Sequence, residues 1–155
     1  MNIRYYGHSA ISFHVGEHTV IVDPFLTDNP LYGKVPPDLK PTTVVCTHGH
    51  EDHVGNAVEL SKHHGASVVA VWELANHLEK LGAKTIPCGL GGRINHPWGW
   101  SKFVPAFHSS SHGGQYMGQQ RATRQWMQHL GLGRAHPCSL ARSQDDDIQC
   151  HAGAS

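Results

Sequence analysis

The sequence predicts an α/β (α+β) fold, a sandwich in which helices cover β-sheets. Two observations lead to this prediction. Residues 3–24 read as three short strands, rich in Val, Ile, Tyr and Phe and divided by turns that contain glycine. From residue 42 onward, apolar runs of strand length alternate with segments of helical spacing. The chain has 155 residues, the length of one ordinary domain.

The first half of the chain supplies most of the predicted strands. The three opening strands are IRYYG, AISFHVG and HTVIVDP. The segment FLTDNPLYGKVPPDLKP follows them and, being rich in Pro, Asp and Gly, is predicted to be a loop. The next run, TTVVCTH, is almost continuously apolar, which indicates a strand that is buried on both faces.

Two helices and further strands are predicted after that buried run. The segment NAVELSKHHG indicates a helix with Asn56 as its N-cap and Gly65 as its C-terminal stop. ASVVAV indicates another buried strand. In WELANHLEKLG the spacing places Leu74, Leu78 and Leu81 on one helical face. KTIPC and SKFVPAFH indicate the last strands, separated by a Gly-rich turn.

The composition of the chain changes near Gly118. From Gln119 to Ser155 there is no Val, Phe, Tyr, Lys or Glu, and nothing in this segment reads as a strand. We therefore divide the chain into an incomplete domain at residues 1–118 and an atypical tail at residues 119–155, which we expect to be poorly ordered. We interpret the change as a truncation or an altered reading frame after about residue 118.

Charge and cysteine content limit the classes of partner. Lys+Arg and Asp+Glu are both 12, so the formal net charge is zero and no basic patch indicates nucleic-acid binding. No apolar run has the length of a membrane span or the form of a signal peptide. The four cysteines form no C-x-x-C pair, which indicates reduced thiols and a cytoplasmic location. We expect a small-molecule substrate; the sequence does not indicate an oligomeric state.

The segment THGHEDH contains the pattern H-x-H-x-D-H at residues 48–53. At a strand end, side chains two residues apart face the same way, so His48 and His50 can reach one metal ion. Asp52 and His53 lie on the following turn and can reach a second ion. Imidazole and carboxylate ligands suit divalent zinc, and also manganese or iron. The alternative is a polar turn rich in surface histidines.

Several stretches in register resemble one protein family. YYGHSAISF, VIVDPFLTDNP, THGHEDHVGNAVEL, VVAVWELANHL and PAFHSSSHGGQYMGQ resemble the metallo-β-lactamase superfamily, and more closely the UPF0173 group of metal-dependent hydrolases, which is related to the UlaG type of lactonase. The resemblance covers about three-quarters of the chain, residues 1–118. It implies the N-terminal part of an αββα sandwich with a two-metal site at one sheet edge.

The resemblance also implies a role for individual residues. His48, His50 and His108 would bind the first metal ion, and Asp52 and His53 the second. Hydrolysis would use a metal-activated water that attacks an ester, lactone, amide or phosphoester. Asp52 would be catalytic, because it would orient that water as well as bind metal.

Two further residues receive supporting roles from the resemblance. Asp23, which ends the third strand, would support the metal loop from behind the ligands, and His8 would line the pocket. The alternatives are that Asp23 is a turn residue before Pro24, that His8 has no role, and that His108 is a surface histidine. The segment HSSSHGG favours a loop at the mouth of the site over a Ser/His nucleophile pair, because no nucleophile-elbow sequence accompanies it.

The chain departs from the family pattern at the second metal ion. The family uses a bridging aspartate, usually in H-A-G-D-T, and a late histidine. The segment CHAGAS has Ala154 where that aspartate would stand. We therefore expect at best weak binding of a single ion. Three functions compete: a metal-dependent hydrolase, an inactive fragment that retains a His-rich metal site, and a nuclease, which the absence of a basic patch disfavours.

Overall fold

The computed structural model describes residues 2–117 and the backbone of residues 147–149. The strands of these residues are β1 Asn2–Gly7, β2 Ala10–Val15, β3 His18–Val22, β4 Thr43–Val45, β5 Ser67–Val71, β6 Lys84–Cys88, β7 Arg93–His96, β8 Gly99–Lys102, β9 Ser111–His112, β10 Gln115–Tyr116 and β11 Asp147–Gln149. The helices are α1 Glu51–Val54, α2 Ala57–His64 and α3 Trp72–Lys80.

One seven-stranded sheet organises the fold. Its strand order is β11-β1-β2-β3-β4-β5-β6. The strands from β11 to β3 are antiparallel to their neighbours, and those from β3 to β6 are parallel. The parallel half is crossed over by helices: α2 packs against β4 and β5, and α3 packs against β5 and β6. The α/β class predicted from the sequence is therefore the observed one.

The core lies in the central strands, where the sequence has its longest apolar runs. Every residue of β4 is buried, and four of the five residues of β5 are buried. Strands of a parallel sheet are covered on both faces, which is why these runs are continuous rather than alternating. The two buried strands predicted from TTVVCTH and ASVVAV are confirmed.

The helix boundaries follow the predicted stop signals, but the predicted cap does not act as one. α2 ends at Gly65, which has φ +69°, a conformation that glycine adopts without steric strain. Asn56 stands at the N-cap position but makes no side-chain cap hydrogen bond. Its Oδ1 instead accepts hydrogen bonds from the backbone N–H groups of Leu26 and Thr27, at 3.2 and 3.0 Å. The residue therefore ties the long loop to the start of α2.

The apolar face of α3 is one residue shorter than predicted. Leu74 and Leu78 are fully buried together with Ala75, whereas Leu81 is 45% exposed. Leu81 is the C-cap of α3, where the chain already turns away from the sheet. Leu81 therefore lies at the exposed end of the predicted face, of which Leu74 and Leu78 form the buried part.

A hairpin of β7 and β8 packs beside the sheet through Trp98. Its indole Nε1 donates a hydrogen bond to Thr43 Oγ1 at 3.0 Å, and its ring meets Phe13 edge to face at 6.0 Å. The predicted strand SKFVPAFH is only partly formed, because β8 ends at Lys102 and the next residues are irregular. Pro105 in this segment has no backbone N–H to donate to a strand ladder.

The expectation that no strand lies beyond residue 118 is wrong at one point. Asp147–Gln149 form β11, which pairs antiparallel with β1 in the register Asn2↔Gln149. An edge strand offers unpaired backbone groups to any segment that reaches it, so this pairing leaves no apolar signal in the sequence. The remainder of the tail predicted at 119–155, including Ala154, lies outside the described residues. No helix in the part of the chain that the structure describes is long and apolar enough to cross a membrane.

Candidate metal centre

The topology brings three chain segments together at one edge of the sheet. Because β3 and β4 are parallel, with Val22 opposite Val45, the residues that follow them leave the sheet side by side. Asp23 follows β3. The predicted metal-binding loop, residues 47–53, follows β4. Because β2 is antiparallel to β3, with Ile11 opposite Val22, the turn between β1 and β2 lies at this same edge. That turn carries His8.

The first ligand group consists of His48, His50 and His108. One ligand atom from each lies within 4.8 Å of the other two. His48 Nε2 and His50 Nδ1 are 3.0 Å apart, and the ring of His108 lies 4.6 Å from that of His48. His48 is only 5% exposed, so this position has a buried side.

His108 reaches the first ligand group from an irregular loop that is tied to the metal-binding loop. Ser110 Oγ accepts a hydrogen bond from the backbone N–H of Gly49 at 3.0 Å, and the backbone N–H of Met117 donates to the Ser110 carbonyl at 3.1 Å. His112 Nδ1 lies 3.2 Å from the Gly49 carbonyl. The segment predicted as a loop is partly a short hairpin, because Ser111–His112 form β9 and pair with β10. Its contacts through Ser110 and His112 attach it to Gly49.

The second ligand group consists of His8, Asp52 and His53. Their ligand atoms also lie within 4.8 Å of one another. His8 Nε2 is 3.1 Å from Asp52 Oδ2 and 3.4 Å from His53 Nε2. The two groups are adjacent, because the rings of His48 and His53 are only 4.0 Å apart.

Asp23 is buried directly behind both groups, with 2% exposure. Its Oδ1 accepts a hydrogen bond from the backbone N–H of Thr47 at 2.7 Å. Its Oδ2 accepts from the Thr47 hydroxyl at 2.7 Å and from His53 Nδ1 at 2.8 Å. Burial raises the pKa of Asp23, and the hydrogen bonds from His53 and Thr47 oppose that rise.

These hydrogen bonds determine the tautomers of two histidines. The single hydroxyl hydrogen of Thr47 goes to Asp23, so Thr47 Oγ1 must accept the hydrogen of His48 Nδ1, 2.9 Å away. His53 Nδ1 donates its hydrogen to Asp23 directly. Both histidines therefore present an unprotonated Nε2 at the surface of the site. Such outer partners fix the orientation and basicity of metal-binding imidazoles.

The donor set of the first ligand group fits a divalent cation. Ser109 Oγ lies 3.3 Å from His50 Nε2, so the His50 tautomer that donates to Ser109 has an unprotonated Nδ1 that can bind a cation. Burial, with the neighbouring histidines, lowers the pKa of His48 to about 3, so its Nε2 carries no proton near neutral pH. In that His50 tautomer the lone pairs of His48 Nε2 and His50 Nδ1 face each other across 3.0 Å, an arrangement that a cation between them stabilises. In the other tautomer His50 Nδ1 donates its hydrogen to His48 Nε2.

The structure thus brings the site residues named from the sequence to one edge: His8, Asp23, His48, His50, Asp52, His53 and His108. His8, expected only to line the pocket, stands among the ligand atoms of the second group. Sequence reasoning missed Thr47, whose position directly before the first histidine of the motif was the available signal. It also missed Ser110, for which the sequence carries no signal beyond the loop composition.

Comparison with known proteins identifies the family. Residues 7–121, well over half of the chain, match the metallo-beta-lactamase superfamily. A UPF0173 metal-dependent hydrolase of Thermus thermophilus is 42% identical over 123 residues, which are 76% of this chain and 54% of that protein. A UPF0173 metal-dependent hydrolase of Bacillus cereus strain AH187 is 42% identical over 153 residues, 99% of this chain and 63% of that protein.

A solved structure has the same fold. Igni18, a metallo hydrolase of the hyperthermophilic archaeon Ignicoccus hospitalis, is 32% identical with a TM-score of 0.66, and the match covers 76% of this chain and 53% of that one. The chain therefore spans a little over half the length of these relatives. The resemblance stated from the sequence is confirmed. The chain belongs to the metallo-β-lactamase superfamily and, within it, to the UPF0173 metal-dependent hydrolases.

Proposed function

We propose that this chain is a hydrolase that uses a metal-activated water. The observation that carries the proposal is the pair of adjacent ligand groups, which share one buried carboxylate. Asp23 orients His53 directly and His48 through Thr47, so the two imidazoles offer Nε2 side by side with ring centroids 4.0 Å apart. Outer hydrogen-bond partners of this kind orient the imidazoles of metal sites.

The proposed first ion is held by His48, His50 and His108, and the second by ligands that include Asp52 and His53. We propose zinc as the metal, with manganese and iron as alternatives that the same imidazole and carboxylate donors accept. An ion at this site supplies Lewis acidity, which lowers the pKa of a water toward neutrality and polarises the bond to be cleaved.

Asp52 is the proposed catalytic residue among these ligands. It lies in the first turn of α1, and its side chain is 48% exposed, so it faces the space from which water and substrate arrive. A carboxylate in this place can accept a hydrogen bond from the attacking water and hold its orientation. Asp23 has a different part, because it is buried and acts on the site only through Thr47 and His53.

The proposed substrate is a small molecule with an ester, lactone, amide or phosphoester bond. The formal net charge of zero supports a small molecule over nucleic acid, since nucleic-acid binding relies on a basic surface. We also propose a reducing compartment such as the cytoplasm. Cys46 and Cys88 are free and buried, and burial raises the pKa of both thiols, which favours their reduced form.

The alternative function is metal binding without turnover. Among the described residues, Asp52 is the only carboxylate in either ligand group. The family pattern adds a second, bridging aspartate, so a centre with Asp52 alone would hold ions without completing the hydrolytic geometry. This observation favours metal binding without turnover, and the formal net charge of zero disfavours a nuclease.

Turnover and metal content, measured on the same samples, separate the two functions. The full chain would be stripped with a chelator, reloaded with Zn²⁺, Mn²⁺ or Fe²⁺, and assayed on chromogenic ester, lactone, amide and phosphoester substrates. We expect turnover only in a reloaded sample, and none in a control that carries His48→Ala and His50→Ala. A chain that binds metal but cleaves nothing would support the alternative, and a chain that binds no metal would contradict both.

A further inference from the structure

The second ligand group contains one residue that the family pattern does not call for. We propose that His8, in the turn between β1 and β2, is a direct ligand of the second metal ion, together with Asp52 and His53. The proposal rests on the proposed function, because it concerns the second ion of that same site. It replaces the expectation that this ion has only Asp52 and His53 within residues 1–118.

The distances at His8 are those of atoms that share an ion. Its Nε2 lies 3.1 Å from Asp52 Oδ2 and 3.4 Å from His53 Nε2. Ligands at zinc distances of about 2.0–2.1 Å in a tetrahedral arrangement are separated from each other by about 3.3 Å. His8 Nε2 therefore has the spacing to both other atoms that one common ion requires, and the ligand atoms of all three residues lie within 4.8 Å of one another.

The chemistry of the three atoms also calls for a cation. His53 Nδ1 donates its hydrogen to Asp23, so His53 Nε2 is unprotonated and can only accept. An ionised Asp52 can likewise only accept. His8 Nε2 faces both acceptors, yet a neutral imidazole has at most one hydrogen to offer from that atom. A divalent ion satisfies all three at once.

The backbone at His8 is held in a conformation that a histidine rarely adopts. His8 has φ +53°, and the preceding Gly7 has φ +95°, next to a register shift between β1 and β2. Glycine or asparagine would occupy such a turn with less strain. The hydroxyl of Tyr5 donates a hydrogen bond to the His8 carbonyl at 3.0 Å, which helps to hold the turn.

A second residue with positive φ, Asp23, lies directly after β3. Among the described residues, His8 and Asp23 are the two that are not glycine and have positive φ. Asp23 orients His53 from behind, and His8 approaches the same imidazole from the solvent side. Strain that is concentrated at two residues around one imidazole is typical of a functional site. The ring of Phe25 meets that of His8 edge to face at 5.8 Å and limits its rotation.

The test uses His8→Gly in the full chain, because glycine accepts φ +53° and removes the imidazole. His64→Gly, at the exposed end of α2, is the matched control. His8→Asn is a second variant that also tolerates the left-handed backbone. Cadmium binding would be followed by competition with a chromogenic chelator and by ¹¹³Cd NMR, so that each ion is observed without reference to activity.

We expect two ¹¹³Cd resonances in the unmodified chain. His8→Gly should lower the affinity for one ion by at least about tenfold and shift or abolish the resonance of that ion. The affinity and the resonance of the other ion should stay unchanged. His64→Gly should retain both, and the thermal midpoint of metal-free His8→Gly should not fall. If His8→Gly and His8→Asn both bind two ions as tightly as the unmodified chain, His8 is not a ligand, while the proposed hydrolase remains. If the unmodified chain binds fewer than two ions, the proposed second ion position does not exist, and His8 is not a ligand of it.

Discussion

The two ligand groups share a carboxylate but differ in their access to solvent. In the first group, His48 is 5% exposed and lies against Thr47, which Asp23 orients. In the second group, the side chains of His8 and Asp52 are 41% and 48% exposed. Exposure also varies within each group, because His108 is exposed and His53 is half-buried. The buried, fixed side of the site is therefore at His48, and the open side includes His8 and Asp52. We infer that the first group holds its ion in a fixed geometry and that substrate and water arrive at the second.

The largest expected effect is a loss of affinity for the first ion alone. His50→Ala removes one of three ligands from the first group and leaves the second untouched, since its own ring contacts lie with His48 and His108. We expect the affinity of the first ion to fall by about 100-fold or more, and that of the second to change by less than about threefold. Competition with a chromogenic chelator, with His64→Ala as the control, measures the affinities of both ions. Equal loss of both ions would mean that the groups are not separate.

Replacement of Asp23 should lower the affinity for both ions. Asp23→Asn keeps a residue that tolerates φ +44°, but replaces a carboxylate that accepts three hydrogen bonds with an amide. We expect both ions to bind about 10- to 100-fold more weakly, since outer partners of metal-bound imidazoles have effects of this size. Chelator competition measures the affinities, and Asp28→Asn at an exposed position is the control. Loss of the second ion alone would contradict the role given to Thr47.

A smaller change tests the connection through Thr47. Thr47→Val preserves the shape of the side chain and the backbone hydrogen bond to Asp23, but removes the hydroxyl that accepts from His48 Nδ1. We expect the affinity for the first ion to fall by about tenfold. The affinity for the second ion should stay unchanged, because His53 still donates to Asp23. The same competition assay measures both ions. If the second weakens as much as the first, Thr47 does not act through His48.

The smallest effect concerns the loop that delivers His108. Ser110→Ala leaves the buried N–H of Gly49 without its acceptor, which costs about 1–3 kcal/mol in free energy of unfolding. We expect the first ion to weaken by less than about tenfold and the second to stay unchanged. Urea unfolding of the metal-free protein measures the stability, and Ser111→Ala, at an exposed residue, is the control. An unchanged stability would show that this hydrogen bond does not hold the loop.

The sequence predicted well those features that depend on local pattern. The apolar runs of β4 and β5 are continuous because both faces of these strands are covered, and the sequence alone shows this pattern. The spacing of His48, His50, Asp52 and His53 within one loop is also local, so its division between two groups of side chains followed from strand geometry. Gly65 ends α2 as predicted, because its left-handed conformation has a strong residue preference.

The features that sequence reasoning missed depend on pairing between distant segments. His8 joins Asp52 and His53 only because β2 pairs antiparallel with β3 and the turn before β2 folds toward β4. β11 forms on the free edge of β1 through backbone groups, which every sequence carries. Thr47 acts because Asp23 lies opposite it across two parallel strands. Register of this kind is set by the whole sheet and leaves no mark near the residues concerned.

We propose that one sheet edge holds two ion positions, supported by the single carboxylate of Asp23. Titration of the full chain with Zn²⁺, followed by gel filtration and elemental analysis, tests it most directly. We expect about two zinc ions per chain. One ion or none per chain at saturating zinc would contradict it.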